Sequence, residues 1–209
     1  MNSENILICF CKHPDAGMVK SRLAKDLGNV HAAKIYNILL GDTLNNTCQA
    51  NIKSFLYCYP NIRHPILEQY SENYKFELRE QADGDLGMKM YQAIKTHLTT
   101  NKNIVLIGSD CIELDSDYIQ QAFDQLENGN NIVLGPTEDG GYSLIGANKI
   151  DKTIFEGIEW SSDQVLKQTL LKITNLGWKY SRLPTVRDLD TLEDFQYFST
   201  HKKYQHLFS

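Results

Sequence analysis

Asn103-Ile-Val-Leu-Ile-Gly-Ser-Asp110 decides how the rest of the chain is read. Residues 104–107 are an unbroken aliphatic run, too short for a helix and long enough for a strand buried on both faces. The run stops at Gly108-Ser109-Asp110, which puts a carboxylate at the carboxyl end of a central strand. In open α/β sheets ligands bind along that edge. A bare carboxylate there can hold a divalent cation, which in turn can hold phosphates. Gly-Ser-Asp is equally ordinary turn chemistry, and this stretch alone leaves both readings standing.

Outward from it, strand and helix alternate, with no internal repeat and no low-complexity linker. Strands are expected at 5–11, 52–59, 75–80, 103–108, 132–135, 141–146 and 178–183. One helix takes Asn29 as its N-cap and carries Ala33, Tyr36, Leu40, Leu44 and Thr47 along one stripe. Others start near Asp85, at Asp115 or Ser116, at Ser161 or Ser162, and at Thr191, with Gly129 and Gly177 as stops. This alternation predicts a three-layer α/β fold with a mixed, mostly parallel sheet. The Glu138–Gly141 turn is too short for a crossover, so one strand should run antiparallel.

A chain of 209 residues, 42% hydrophobic and 22% charged, is expected to form one domain with its own core over 1–209. A net charge of −5 argues against a general nucleic-acid binder. No apolar run approaches the roughly 20 residues of a membrane span, and residues 2–5 lack the cations of a signal peptide. Five cysteines without metal-site or disulfide-framework spacing suggest reduced thiols and a cytoplasmic protein. Cys9 and Cys11, two apart in a strand, share a face and read as packing residues.

Lys12-His-Pro-Asp-Ala-Gly-Met-Val-Lys20-Ser-Arg22 is the second informative place. Three fixed cations surround one glycine and a proline, opposed only by Asp15, in a protein that is acidic overall. A loop leaving a strand end for a helix already favours anions, and Lys and Arg add contacts to a di- or triphosphate. Neither a Walker spacing nor Gly-x-Gly-x-x-Gly occurs, which disfavours P-loop kinases and dinucleotide oxidoreductases. A solvated basic loop is the plainer alternative.

Six motifs recur in order: Lys12-x-Pro-x-x-Gly17-x-Val-Lys20-Ser-Arg22-Leu, Gln81-x-x-Gly84-Asp-Leu-Gly87, Ile107-Gly-Ser-Asp110-Cys, Gly135-Pro-x-x-Asp139-Gly-Gly-Tyr142, Trp160-Ser-Ser, and Asp188-Leu-Asp190-Thr-x-x-Asp194. Together the chain resembles bacterial GT-A-like transferases labelled radical-SAM-associated or arsenosugar-type glycosyltransferases. These are relatives of 2-phospholactate guanylyltransferase and of sugar-phosphate nucleotidyltransferases. The resemblance spans about residues 6–198 and implies a Rossmann-like nucleotide-diphospho-sugar transferase fold. It also implies roles. Lys12, Gly17, Lys20 and Arg22 match the phosphate loop, and Gln81, Gly84, Asp85 and Gly87 the segment facing base and ribose. Asp110 and Asp190 match the positions that bind Mg²⁺ or Mn²⁺. Asp139, Gly140, Gly141 and Tyr142 would line the second substrate's pocket. Ile112 stands where relatives have Pro, Lys89 replaces a common Arg, and Ser21 stands for Thr.

Plainer readings accompany several of these. Asp194 completes a capping box with Thr191, which leaves Asp190 free. Asp139 before two glycines fits a hairpin turn. Trp160 reads as a packing anchor, and His201 and His206, five apart, as solvent-facing. Ser109 lacks the glycines two residues away that a nucleophile elbow needs. The expected activity is therefore a metal-dependent transferase, with Asp110, Lys20 and Arg22 as its catalytic residues. It would move a glycosyl group from a nucleotide sugar to a small acceptor. The alternative is a nucleotidyltransferase joining an NTP to a sugar phosphate or phosphorylated acid, and a lesser one is a non-catalytic nucleotide-binding domain.

Overall fold

The structure is a computed structural model that describes residues 4–98 and 102–208. Seven strands form one sheet: β1 (Glu4–Lys12), β2 (Lys53–Tyr59), β3 (Phe76–Glu80), β4 (Lys102–Gly108), β5 (Ile132–Pro136), β6 (Tyr142–Ala147) and β7 (Tyr180–Arg182). Their order is β3-β2-β1-β4-β6-β5-β7, so the aliphatic run of β4 occupies the middle position. Every pairing is parallel except those of β6, which runs antiparallel to both β4 and β5. The short turn anticipated after Pro136 is the reason: it can only close a hairpin.

Helices α1 (Ser21–Leu27), α2 (Asn29–Thr47), α3 (Pro65–Tyr74), α4 (Leu86–His97), α5 (Ser116–Glu127), α6 (Val165–Asn175) and α7 (Leu192–Ser199) cover the sheet. Alternation along β1 divides its side chains between two cores. Leu7, Cys9 and Cys11 join α2 and α5 on one face, while Ile6, Ile8 and Phe10 join α4 and α6 on the other. That makes three layers. All five cysteines are free thiols. A third cluster sets Ile35 and Leu39, the second apolar side of α2, against Leu23 of α1 and Phe198 of α7.

Two helix starts and one whole helix differ from what was expected. Asn29 is the first residue of α2 and Gly28, at φ 79°, precedes it, so the helix starts without a side-chain cap. α6 begins at Val165, with neither Ser161 nor Ser162 as its N-cap. Helix α3 was not anticipated: it buries only Leu67 and is capped by His64, whose side chain accepts from Ile66 N. Asp115, Asp85 and the Thr191–Asp194 box cap α5, α4 and α7 as expected.

Gly87 fixes how α4 meets the floor of the sheet's carboxyl edge. A Cβ there would lie 2.5 Å from Trp160 Cζ2 and 2.9 Å from Phe155 Cβ. Gly87→Ala should therefore cost about 1–3 kcal/mol by overpacking, read as a lowered melting temperature in thermal denaturation.

Candidate active site

The strand order reverses between β1 and β4: the chain runs outward to β3, then returns to the other side of β1. Such a switch point leaves a crevice beyond the carboxyl ends of the two strands. A cleft of about 600 Å³ opens there. Its lining includes Lys12, Lys20, Arg22, Gln81, Lys89, Asp110, Asp139, Gly141, Tyr142, Trp160, Asp188 and Asp190, which brings residues of all six motifs to one place. A smaller hollow of about 260 Å³ beside Tyr57, Arg79 and Gln92 lies on the flank and gathers no comparable charge.

Lys20 has a left-handed backbone, φ 51°, just before α1. That conformation turns a long side chain inward: Lys20 is 6% exposed and its Nζ lies 2.6 Å from Asp110 Oδ1. The contact is an ion pair without hydrogen-bond alignment. The plainer alternative of a solvated basic loop therefore does not hold for Lys20. Arg22 does stay half-exposed, with Nη1 3.2 Å from Asp190 Oδ2. Asp110 O accepts from Leu189 N at 3.1 Å, tying the end of β4 to the Asp188–Asp190 segment. Ser109 Oγ pairs with the buried hydroxyl of Tyr36 at 2.9 Å, and Lys12 N donates to the same hydroxyl at 2.9 Å.

Asp188 was not singled out from the sequence as a site residue. Part of its side chain reaches the cleft, but Oδ1 is enclosed and has no hydrogen-bond partner. Burial raises its pKa from 3.8 to about 7, and the charge of Asp110 adds to the rise while Lys20 opposes it. Burial also raises the pKa of Asp190, against Lys20, with Asp110 adding to the rise. Asp110 and Asp190 therefore feel one another's field. Arg187 braces the segment: Nε donates to Asp194 Oδ1 at 2.8 Å, Nη1 lies 3.6 Å from Glu138, and the guanidinium sits 4.5 Å over Tyr197. No sequence signal marked Arg187, because its partners are set by the fold.

Other expected residues are placed as follows. Gln81 Nε2 donates to the carbonyls of Cys11 and Tyr57, both at 3.0 Å, and so stitches β1 to β2 beneath the cleft. Asp85 is occupied as the α4 cap, accepting from Met88 N at 2.8 Å, and Gly84 turns the chain at φ 114°. Gly17 is exposed in the basic loop at φ 87°. Asp139 Oδ1 accepts from Thr137 Oγ1 at 2.6 Å and Gly141 N at 3.0 Å, closing the β5–β6 hairpin with Gly140 at its bend. Tyr142 is part-exposed at the cleft, but its hydroxyl is enclosed and burial pushes its pKa up. His201 is exposed, and the side chain of His206 lies outside the described residues.

The family pattern matches residues 43–162, more than half of the chain. The chain belongs to DUF2064, described as an uncharacterized protein conserved in bacteria. In this DUF2064 member the match covers β4 and the β5–β6 hairpin but neither the basic loop nor Asp190. Whole-chain similarity extends further. A candidate nucleotide-diphospho-sugar transferase from Desulfovibrio desulfuricans G20 is 28% identical, with a TM-score of 0.85 over 96% of this chain and 88% of that one. A cytidylyltransferase from Leptospira borgpetersenii serovar Hardjo-bovis gives a TM-score of 0.54 at 16% identity, over 99% and 93% of the two chains. CMP:2-keto-3-deoxy-manno-octonic acid synthetase, complexed with CTP, gives 0.56 at 9% identity, over 97% and 100%. No curated protein matches the sequence. The fold is that of the nucleotide-diphospho-sugar transferases, and the chain is placed among the enzymes of that superfamily. Among the described residues no helix is long and apolar enough to cross a membrane.

The two cations of the loop can now be separated by experiment. Arg22→Ala should weaken nucleotide binding about tenfold and leave the melting temperature nearly unchanged, because the pair is exposed. Lys20→Ala should lower both, since a buried charge among aspartates is removed. Calorimetric titration and thermal melts on the two variants check this.

Proposed function

We propose that this chain binds a nucleotide sugar in the cleft and transfers its glycosyl group to the hydroxyl of a small, uncharged acceptor, assisted by Mg²⁺ or Mn²⁺. The observation that carries the reading is the cleft's division of charge. Its cations, Lys12, Lys20, Arg22 and Lys89, all come from the amino-terminal half of the chain. The lining contributed by Thr137, Asp139, Gly141, Tyr142, Ser143, Trp160, Ser161 and Ser162 is polar and aromatic, with one carboxylate and no Lys or Arg among the described lining residues. The cationic lining suits a diphosphate, and a protein of similar fold is complexed with CTP. This cation-free lining offers hydroxyls, amides, an aromatic surface and a carboxylate, which suit a polyol and give a phosphorylated acid no partner.

The donor set fits a hard divalent cation. Asp110, Asp188, Asp190 and Asp139 face the cleft against Lys20 and Arg22, and burial, with the charge of Asp110 adding to it, drives Asp188 towards protonation. Asp110 and Asp190 would hold the ion through carboxylate oxygens. When bound, it neutralises charge developing on the leaving diphosphate. Lys20 and Arg22 stabilise the same charge from the loop. Tyr142 and Trp160 close the acceptor end, and positioning by these fixed side chains supplies much of the remaining acceleration.

Nucleotidyl transfer is the second reading. The Leptospira relative's name favours it, and so does the density of charge in the loop. A calorimetric screen with Mg²⁺, setting NTPs against UDP-, GDP- and dTDP-sugars, separates the two. Saturable binding of one nucleotide sugar, with nucleoside diphosphate released when a neutral sugar acceptor is added, supports glycosyl transfer. Tight binding of an NTP, with pyrophosphate released on adding a sugar phosphate or phosphoacid, replaces it with the second reading.

A further inference from the structure

Three side chains that do not line the cleft converge from two segments. His13 and Asp15 follow β1, and His64 precedes α3. One ligand atom from each lies within 4.8 Å of the others. The His13 ring is buried, and its Nε2 sits 2.8 Å from the carbonyl oxygen of Asn61. A carbonyl only accepts, so Nε2 carries a proton, and in the neutral ring Nδ1 presents a lone pair, 3.8 Å from Asp15 Oδ2. His64 Nε2 lies 3.4 Å from Asp15 Oδ1, and the two ring centroids are 4.8 Å apart.

We infer that His13 Nδ1, His64 Nε2 and the Asp15 carboxylate form a binding site for a divalent transition ion of the Zn²⁺ class, separate from the carboxylates of the cleft. Two imidazoles and one carboxylate are the donors such ions select, whereas Mg²⁺ selects oxygen alone. His13 already has the posture of a metal ligand: the ring nitrogen facing away from the ion donates to a backbone carbonyl. Donors sharing a tetrahedral ion at about 2.0–2.1 Å lie about 3.3 Å apart, so the cluster contracts modestly. Asp15 is exposed and free to close that gap. With both rings neutral the three groups carry one net negative charge.

Loading has a structural signature at His64. In the ion-free protein Ile66 N donates to His64 Nδ1 at 3.3 Å, so the ring proton is on Nε2. Ligation through Nε2 moves that proton to Nδ1 and ends the Ile66 contact, loosening the first turn of α3. In exchange the ion pins the loop carrying Lys12, Gly17 and Lys20 to the segment between β2 and α3. This inference does not depend on which transferase reaction the cleft performs.

The test is a titration of the full, metal-stripped chain with Zn²⁺, and in parallel Co²⁺, in excess Mg²⁺. One ion per chain is expected, with intense visible bands of low-coordinate Co²⁺ and a shifted amide resonance at Ile66. His64→Asn retains a capping side chain, and His13→Gln retains a donor for Asn61. Each should weaken binding by at least about tenfold, as should Asp15→Asn, which lies on an exposed residue and tests the site even if a histidine variant misfolds. Asp110→Asn and His201→Ala should bind as the parent does. Absence of a saturable site, or parental affinity in the Asp15→Asn variant and in any folded histidine variant, overturns the assignment.

Discussion

Asp110→Asn should slow turnover on the donor sugar by on the order of a thousandfold while the protein still folds. The carboxylate stands where β4 ends, half-exposed to the cleft, and its main chain is held by Leu189 N at 3.1 Å. Asparagine keeps the shape and that backbone contact but removes the charge. A thousandfold is about 4 kcal/mol, within the several kcal/mol a metal-held charge contributes to a transition state. The same change deprives Lys20 of its ion-pair partner at 2.6 Å. Because Asp110 is half-exposed and Asp188 and Asp190 still surround the ammonium, the loss of stability should be about 1 kcal/mol rather than that of a fully buried pair. Steady-state rates and thermal melts on the variant measure the two effects separately. Activity within tenfold of the parent would remove Asp110 from the machinery.

Asp188→Asn should stabilise the metal-free protein at pH 8 and do little at pH 4. The folded pKa of about 7 lies above the ordinary value of 3.8, so between those values the folded state binds a proton that the unfolded chain has released. The contribution of Asp188 is thus fully present below 3.8 and is lost as pH rises through about 7. That span is worth roughly 4 kcal/mol, an upper figure because the neighbouring aspartates titrate with it. Asparagine cannot ionise and so does not lose this stability. Asp194, whose pKa is lowered by Thr191 and Arg187 against the effect of burial, works in the opposite sense and is the same in both proteins. Denaturant unfolding of parent and variant at the two pH values, in the presence of a chelator, isolates the difference. An equal effect of the substitution at both pH values would place the ionised carboxylate comfortably in the folded state.

The middle of the sheet was legible because β4 is buried on both faces, which leaves an aliphatic run that nothing but a central strand explains. The hairpin after Pro136 and the Thr191–Asp194 box were legible because each is a local arrangement of a few residues. Helix α3 was not. It presents one buried leucine and a histidine cap, so neither apolar period nor cap chemistry announced it. Lys20 was recognised as a cation, but its burial follows from a left-handed backbone that no residue type signals. Asp188 had a signal that could have been used. Leu189, fully buried in the cluster under α1 and α7, separates two acidic residues, and alternation places both on the side opposite it. His13 and His64 are brought together only by the packing of the basic loop on the end of β2, where His13 N donates to Tyr59 O at 2.8 Å.

The central claim is that Asp110 and Asp190 present a divalent cation to the phosphates of a nucleotide held by Lys20 and Arg22. Calorimetric titration of the parent and of Asp110→Asn with a nucleoside diphosphate, each in Mg²⁺ and in EDTA, tests it most directly. The account predicts that removing Mg²⁺ weakens binding to the parent at least about tenfold, and that Asp110→Asn binds weakly with or without the ion. Equal affinity in Mg²⁺ and EDTA, unchanged by the substitution, would contradict it.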